Sequence, residues 1–175
     1  AVGAGVTGQL YALSDVDHYA ITVTEQGFLS LSFHRPPSQY RELFRVSVVD
    51  SAGDTLAGWA DIVDSHVFSV GIHQAGTVFV RVTGNSSLPF SDRPYSLTAA
   101  FQTGDASDQE SEGNNDRTSA DTLGFADPVH GQFSDLVDVD YFRVTANAAG
   151  LLRLDIQPSA PWNLEPYIGH IQVTV

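Results

Sequence analysis

The chain contains no cysteine, no lysine and no methionine. No apolar run approaches the ~18 residues that a membrane helix needs. Without thiols there are no disulfides, no zinc–thiolate centres and no cysteine nucleophile, although this leaves the compartment open. Positive charge is scarce: all eight basic residues are arginine, against 21 acidic ones, for a net charge of −13 and a pI near 4.4. That balance excludes nucleic acid, whose phosphates require clustered basic side chains, and anionic membrane surfaces. It suits calcium, cationic partners or a salty medium. No signal-peptide pattern is visible and residue 1 is not methionine, which reads as a piece of something longer.

What is present is ordinary globular material. The 175 residues are 42% hydrophobic, enough for one large domain or two small ones. A core of this size buries about two-thirds of the unfolded chain's surface, so no covalent staples are required.

The order of the residues is more telling. At a spacing of 123, Val6-Thr7-Gly8-Gln9-Leu10 aligns with Val129-His130-Gly131-Gln132-Phe133. Likewise Asp15-Val16-Asp17-His18-Tyr19 aligns with Asp138-Val139-Asp140-Tyr141-Phe142, and Gly27-Phe28-Leu29-Ser30-Leu31 with Gly150-Leu151-Leu152-Arg153-Leu154. Over residues 6–33 eleven of twenty-eight positions are identical, where chance gives about two. Phe44-Arg45-Val46-Ser47-Val48 matches Ile171-Gln172-Val173-Thr174-Val175 at a spacing of 127, so the second copy has gained four residues. Residues 1–104 are read as the first repeat. Residues 105–175 are read as a polar linker followed by the N-terminal half of a second.

Tyr19–Val23, Phe28–Phe33, Phe44–Val48, His66–Val70, Val78–Val82 and Tyr95–Ala99 alternate apolar and polar side chains. That is the period of a half-buried strand. Between them stand turn-formers such as Asp50-Ser51-Ala52-Gly53-Asp54 and Gln74-Ala75-Gly76. A helical turn at most is expected over residues 39–43. Short strands at regular spacing predict an all-β, antiparallel sandwich.

The segment Glu110-Ser111-Glu112-Gly113-Asn114-Asn115-Asp116 offers three carboxylates and two amide oxygens in seven residues. Hard oxygen donors of this kind suit Ca²⁺, which takes about six to eight of them. A solvated acidic linker is the ordinary reading of such a run. Downstream, however, lies Asp138-Val139-Asp140, whose carboxylates share a face if the chain there is extended. The EF-hand spacing is absent.

These residues carry a resemblance. Glu110-x-Glu112-x-Asn114-Asn115, Ala120-x-x-Leu123, Gly131-x-Phe133 and Asp138-Val139-Asp140-Tyr141-Phe142 resemble the bacterial pre-peptidase C-terminal domain family, which includes the collagen-binding modules of clostridial collagenases. The first copy resembles it through Gly8-x-Leu10, Asp15-Val16-Asp17-His18-Tyr19, the Asp50–Gly53 turn and residues 76–82. The resemblance implies a jelly-roll-like β-sandwich in a secreted, extracellular bacterial protein, usually C-terminal to a protease or other hydrolase. It nominates Glu110, Glu112, Asn114, Asn115, Asp138 and Asp140 as Ca²⁺ ligands, with Asp15 and Asp17 as a weaker pair that lacks the acidic lead. Gly113 stands where the family commonly has proline.

Catalysis is not expected. His18, His34, His66, His73, His130 and His170 are scattered, and the chain has neither a zinc-protease histidine pair, nor a nucleophile elbow, nor a glycine-rich phosphate loop. The expected role is a non-catalytic, calcium-binding accessory module for attachment, spacing or secretion-linked processing. Its partners would be an extracellular polymer or protein surface, such as a polysaccharide or a collagen-like protein. The alternatives are a carbohydrate-binding or adhesin module, built on Trp59, Trp162 or Tyr167, and a calcium-stiffened spacer. Half a sandwich in residues 129–175 leaves apolar surface bare, which predicts strand exchange or self-association there.

Overall fold

A computed structural model describes residues 3, 5–12, 14–35, 44–62, 65–84, 94–106, 108–111, 113–131, 138–157 and 174. The expected helical turn at 39–43 lies outside them, and no helix occurs among them. The strands are β1 (Gly5–Gly8), β2 (Val16–Val23), β3 (Gly27–His34), β4 (Phe44–Val49), β5 (Thr55–Ile62), β6 (His66–Ile72), β7 (Gly76–Gly84), β8 (Tyr95–Thr103), β9 (Asp121–Thr122) and β10 (Phe142–Arg143).

The first eight strands make two four-stranded antiparallel sheets, ordered β1-β8-β3-β6 and β2-β7-β4-β5. β1 pairs with β8, β2 with β7, β3 with β6 and β4 with β5, so the chain is one long antiparallel ribbon folded over on itself. That order is a jelly roll, and the all-β sandwich expected from the alternation is the observed architecture.

The alternation explains the packing. Leu29, Leu31 and Phe33 of β3 face inward and are fully buried, as are Val46 and Val48 of β4 and Val80 and Val82 of β7. Phe68, Val70 and Ile72 of β6 and Tyr95, Leu97 and Ala99 of β8 close the same core. Each large side chain removed from water contributes about 1.5–3 kcal/mol. Phe33, Phe44 and Tyr95 form an aromatic cluster with ring centroids 5.2–6.1 Å apart. Trp59 is partly buried against the core and lies 4.3 Å from the Phe68 ring.

The contact pattern divides the chain into Ala1–Val144 and Thr145–Val175. Beyond β8 the chain stays with the first sandwich: Ala106 is fully buried, Gly104 N donates to Gln26 O at 3.3 Å, and His73 Nε2 lies 2.8 Å from Glu110 O. In the second unit the described residues 145–157 contain no strand.

Candidate metal centre

The acidic lead is a laced loop. Asp121, at the start of β9, accepts hydrogen bonds from Ser111 N at 2.6 Å and Ser111 Oγ at 2.9 Å, and from Asn114 Nδ2 at 3.3 Å. Asn114 N donates to Ser111 O, while Asn114 O accepts from Tyr141 N at 3.0 Å. Asp121 N donates to Tyr141 O and Leu123 N to Arg143 O, which extends the parallel pairing of β9 with β10. Glu110 N donates to His130 O at 2.9 Å. These bonds bring residues 138–141 against the lead.

There Asp140 meets the Glu110 carboxyl and feels the charges of Asp138 and Asp121. Asp140 is pushed up to about 6, first by burial and next by the charge of Asp138; Asp121 adds to the rise and a hydrogen bond with the Glu110 side chain opposes it. Two carboxyl groups bond to each other only through a shared proton or a cation. Asp140 Oδ1 is buried and has no hydrogen-bond partner among the described residues. The Glu110 carboxyl fits because residue 131 is glycine: a Cβ there would stand 2.6 Å from Glu110 Oε2 and 2.8 Å from its Cδ.

The other nominated residues fall as follows. Asn115, with its amide oriented to satisfy its neighbours, donates to Val139 O and to Asp138 Oδ1, each at 3.1 Å. Asn114 is buried and its amide is engaged with Asp121. Glu112 lies outside the described residues. Asp116 closes its own turn, its Oδ1 accepting from Thr118 and Ser119, and these bonds hold its carboxyl down at about 2.

Asp15 and Asp17 do not join this group. Asp15 Oδ2 accepts from Tyr11 N at 2.9 Å. Asp17 Oδ2 accepts from the Tyr95 hydroxyl at 2.6 Å, and that hydroxyl lies 2.7 Å from the Tyr19 hydroxyl. A Cβ on Gly8 would collide with both tyrosine hydroxyls. In sequence, Gly8 and Asp17 align with Gly131 and Asp140 at the spacing of 123. Asp17 thus meets a phenol where Asp140 meets a carboxyl.

No three or more His, Asp or Glu side chains among the described residues are already arranged to hold a metal ion. The donor chemistry nevertheless fits a hard cation: carboxylates that repel one another, an orphaned buried oxygen, and the amide of Asn115 with the carbonyl of Val139 nearby. Glu110 also lines a cleft of about 360 Å³ with His73, Gln109, His130 and Asp50.

Sequence reasoning missed Asp121, His73 and Tyr95. Asp121 had a faint signal, one residue after Ala120 in the Ala120-x-x-Leu123 pattern. Of the aromatic side chains proposed as a sugar platform, Trp59 leans on the core, while Trp162 and Tyr167 lie outside the described residues.

No protein-family model matches this chain, and no curated protein does. Among solved structures it is similar to the pre-peptidase C-terminal domain of a collagenase from Bacillus anthracis, at 12% identity over 56% of this chain and 89% of that one, with a TM-score of 0.45. It is also similar to a structure of infectious bursal disease virus, Gx strain, at 10% identity over 55% of this chain and 29% of that one, with a TM-score of 0.31. At these scores neither similarity bears on the fold, which rests on the strand order.

Proposed function

We propose that this chain is a non-catalytic accessory module of a larger exported bacterial protein, of the pre-peptidase C-terminal type, and that its acidic lead holds Ca²⁺. The observation that carries the reading is the Glu110–Asp140 carboxyl pair, set beside Asp138 and Asp121 with Asp140 Oδ1 buried and unsatisfied. At neutral pH such a cluster favours either a retained proton or a cation.

Glu110, Asp138 and Asp140 would supply the charge, Asn115 an amide oxygen, and Glu112 a further carboxylate from the same lead. Bound Ca²⁺ would supply the positive charge that these oxygens otherwise lack. The remaining residues position them: Asp121 clamps Ser111 and Asn114, and Gly131 leaves room for Glu110. The Asn115 amide would turn over, so that its oxygen rather than its nitrogen faces Asp138 Oδ1 and Val139 O. His73 ties the lead to the sandwich, so ordering the lead transmits to the end of β6.

Titration calorimetry on chelator-stripped protein tests this. Heat on adding Ca²⁺, with a raised melting temperature, is expected. No heat together with an unchanged melting temperature would sink the metal site. The attachment role has its own test: retention on polysaccharide and collagen matrices, compared with and without chelator. Failure to bind any matrix in either condition leaves a spacer rather than an attachment module.

A further inference from the structure

Residues 150–156 read Gly-Leu-Leu-Arg-Leu-Asp-Ile and are exposed: Leu151 by 98%, Leu152 by 44%, Leu154 by 41% and Ile156 by 54%. Arg153 and Asp155, two residues apart, form an exposed ion pair at 3.7 Å, so they lie on one side as in an extended chain. Leu152, Leu154 and Ile156 then share the other side. The segment has the alternation of a half-buried strand, and among the described residues it pairs with no other segment.

The repeat indicates what such a strand takes as its neighbour. Residues 150–156 align with Gly27–Phe33 of β3, where Leu29, Leu31 and Phe33 are fully buried. β3 pairs antiparallel with β6, setting Leu29 against Val70 and Leu31 against Phe68. β6 in turn is the last strand of its sheet, and among the described residues its other edge has no strand beside it. Its own sequence carries none of the usual protections: His66–Ile72 contains no Lys, Asp, Glu or Pro, and Val67 is 66% exposed, while Gln109 packs only at the Gly71 end. At its inner side Trp59 covers Phe68 while remaining partly exposed.

We propose that residues 150–156 of one molecule add as an antiparallel strand to the free edge of β6 in a second copy of this chain. Main-chain hydrogen bonds would satisfy the edge. Leu152, Leu154 and Ile156 would extend the inner apolar layer of Phe68, Val70 and Ile72 beside Trp59. This is strand addition, with a β3-like sequence meeting the strand that β3 already recognises. The contact is heterologous, so it closes as a reciprocal dimer or runs on as a chain of molecules. Each copy carries −13 charges, so repulsion opposes the contact and added salt strengthens it.

Sedimentation of the full chain across concentration and salt is the test. The unaltered protein is expected to associate reversibly, more tightly at high salt. Leu154→Glu is expected to be monomeric where the unaltered chain is at least half associated, and so is Val67→Pro. Should the proline lower the melting temperature, Val67→Asp serves as the edge variant. The decisive arm mixes the two: Leu154→Glu keeps an intact edge and Val67→Pro an intact strand, so the mixture regains association that neither shows alone. A chain monomeric throughout, association unchanged by Leu154→Glu, or a mixture that stays monomeric would each overturn the proposal.

Discussion

The Tyr95 hydroxyl donates to Asp17 Oδ2 at 2.6 Å, from a strand 78 residues further along the chain. Asp140, which aligns with that aspartate in sequence at a spacing of 123, meets the Glu110 carboxyl instead. A phenol stands beside Gly8 and a carboxyl beside Gly131, so two like-spaced sequence motifs carry two chemistries. A phenol satisfies an aspartate with its own proton. A second carboxyl does not, and must find a proton or a cation elsewhere. The difference in partner, rather than any difference in the Asp-Val-Asp motif, separates an internal fastening from a candidate ion site.

Replacing Tyr95 with phenylalanine leaves Asp17 short of its donor and should cost about 1–3 kcal/mol, read as a lowered melting temperature at neutral pH. Burial raises the ionisation of Tyr95 far above that of a free tyrosine, and that of Tyr19 as well. The folded state thus favours the neutral phenol, and its contribution is present below pH 10 and lost as pH rises above it. The gap between the unaltered chain and Tyr95→Phe should accordingly narrow in alkaline melts.

The paired glycines separate stability from ion binding. Gly131→Ala drives a methyl into the Glu110 carboxyl, and is expected to abolish the calorimetric response to Ca²⁺ while the sandwich melts nearly as before. Gly8→Ala pushes against the Tyr19 and Tyr95 hydroxyls, one of them in the core, and is expected to lower the melting temperature with Ca²⁺ affinity intact. Asp15→Asn should leave the calcium response unchanged, since its carboxylate caps Tyr11 N.

Asp140 gives a pH signature. Its carboxyl is raised from 3.8 to about 6, so the folded state binds this proton more tightly than the unfolded chain. Metal-free stability should fall as pH rises from about 4 to about 6 and level off above. Asp140→Asn should flatten that decline and melt higher than the unaltered protein at pH 7 in chelator, while losing the rise that Ca²⁺ confers. With Ca²⁺ present the unaltered chain should show the opposite trend, releasing the ion as pH drops below about 6. Thermal melts across pH, with and without chelator, check both signs.

Trp59 distinguishes a sugar platform from core cover. Its ring packs tilted against Phe68, with centroids 4.3 Å apart, so Trp59→Ala should cost about 3 kcal/mol of stability. A sugar-binding role would instead show as lost retention on polysaccharide with the melting temperature unmoved.

The sequence by itself determined the strands that bury one face. β2, β3, β4, β6, β7 and β8 announce themselves because inward positions recur every second residue, a property of the local chain. β1 escaped since two of its four residues are glycine. β5 escaped because Ala57-Gly58 interrupts its alternation, and its pairing with β4 shifts register twice. The acidic lead was legible for a similar local reason, its oxygens being crowded into seven residues. Only the tertiary structure decided that Asp121 clamps Ser111, that His73 meets Glu110, and that Tyr95 rather than an ion satisfies Asp17. Those pairings join segments brought together by the order of strands in the two sheets. No periodicity within either segment encodes them, because a hydrogen bond across a fold depends on where distant backbone lies and not on the residues beside it in sequence.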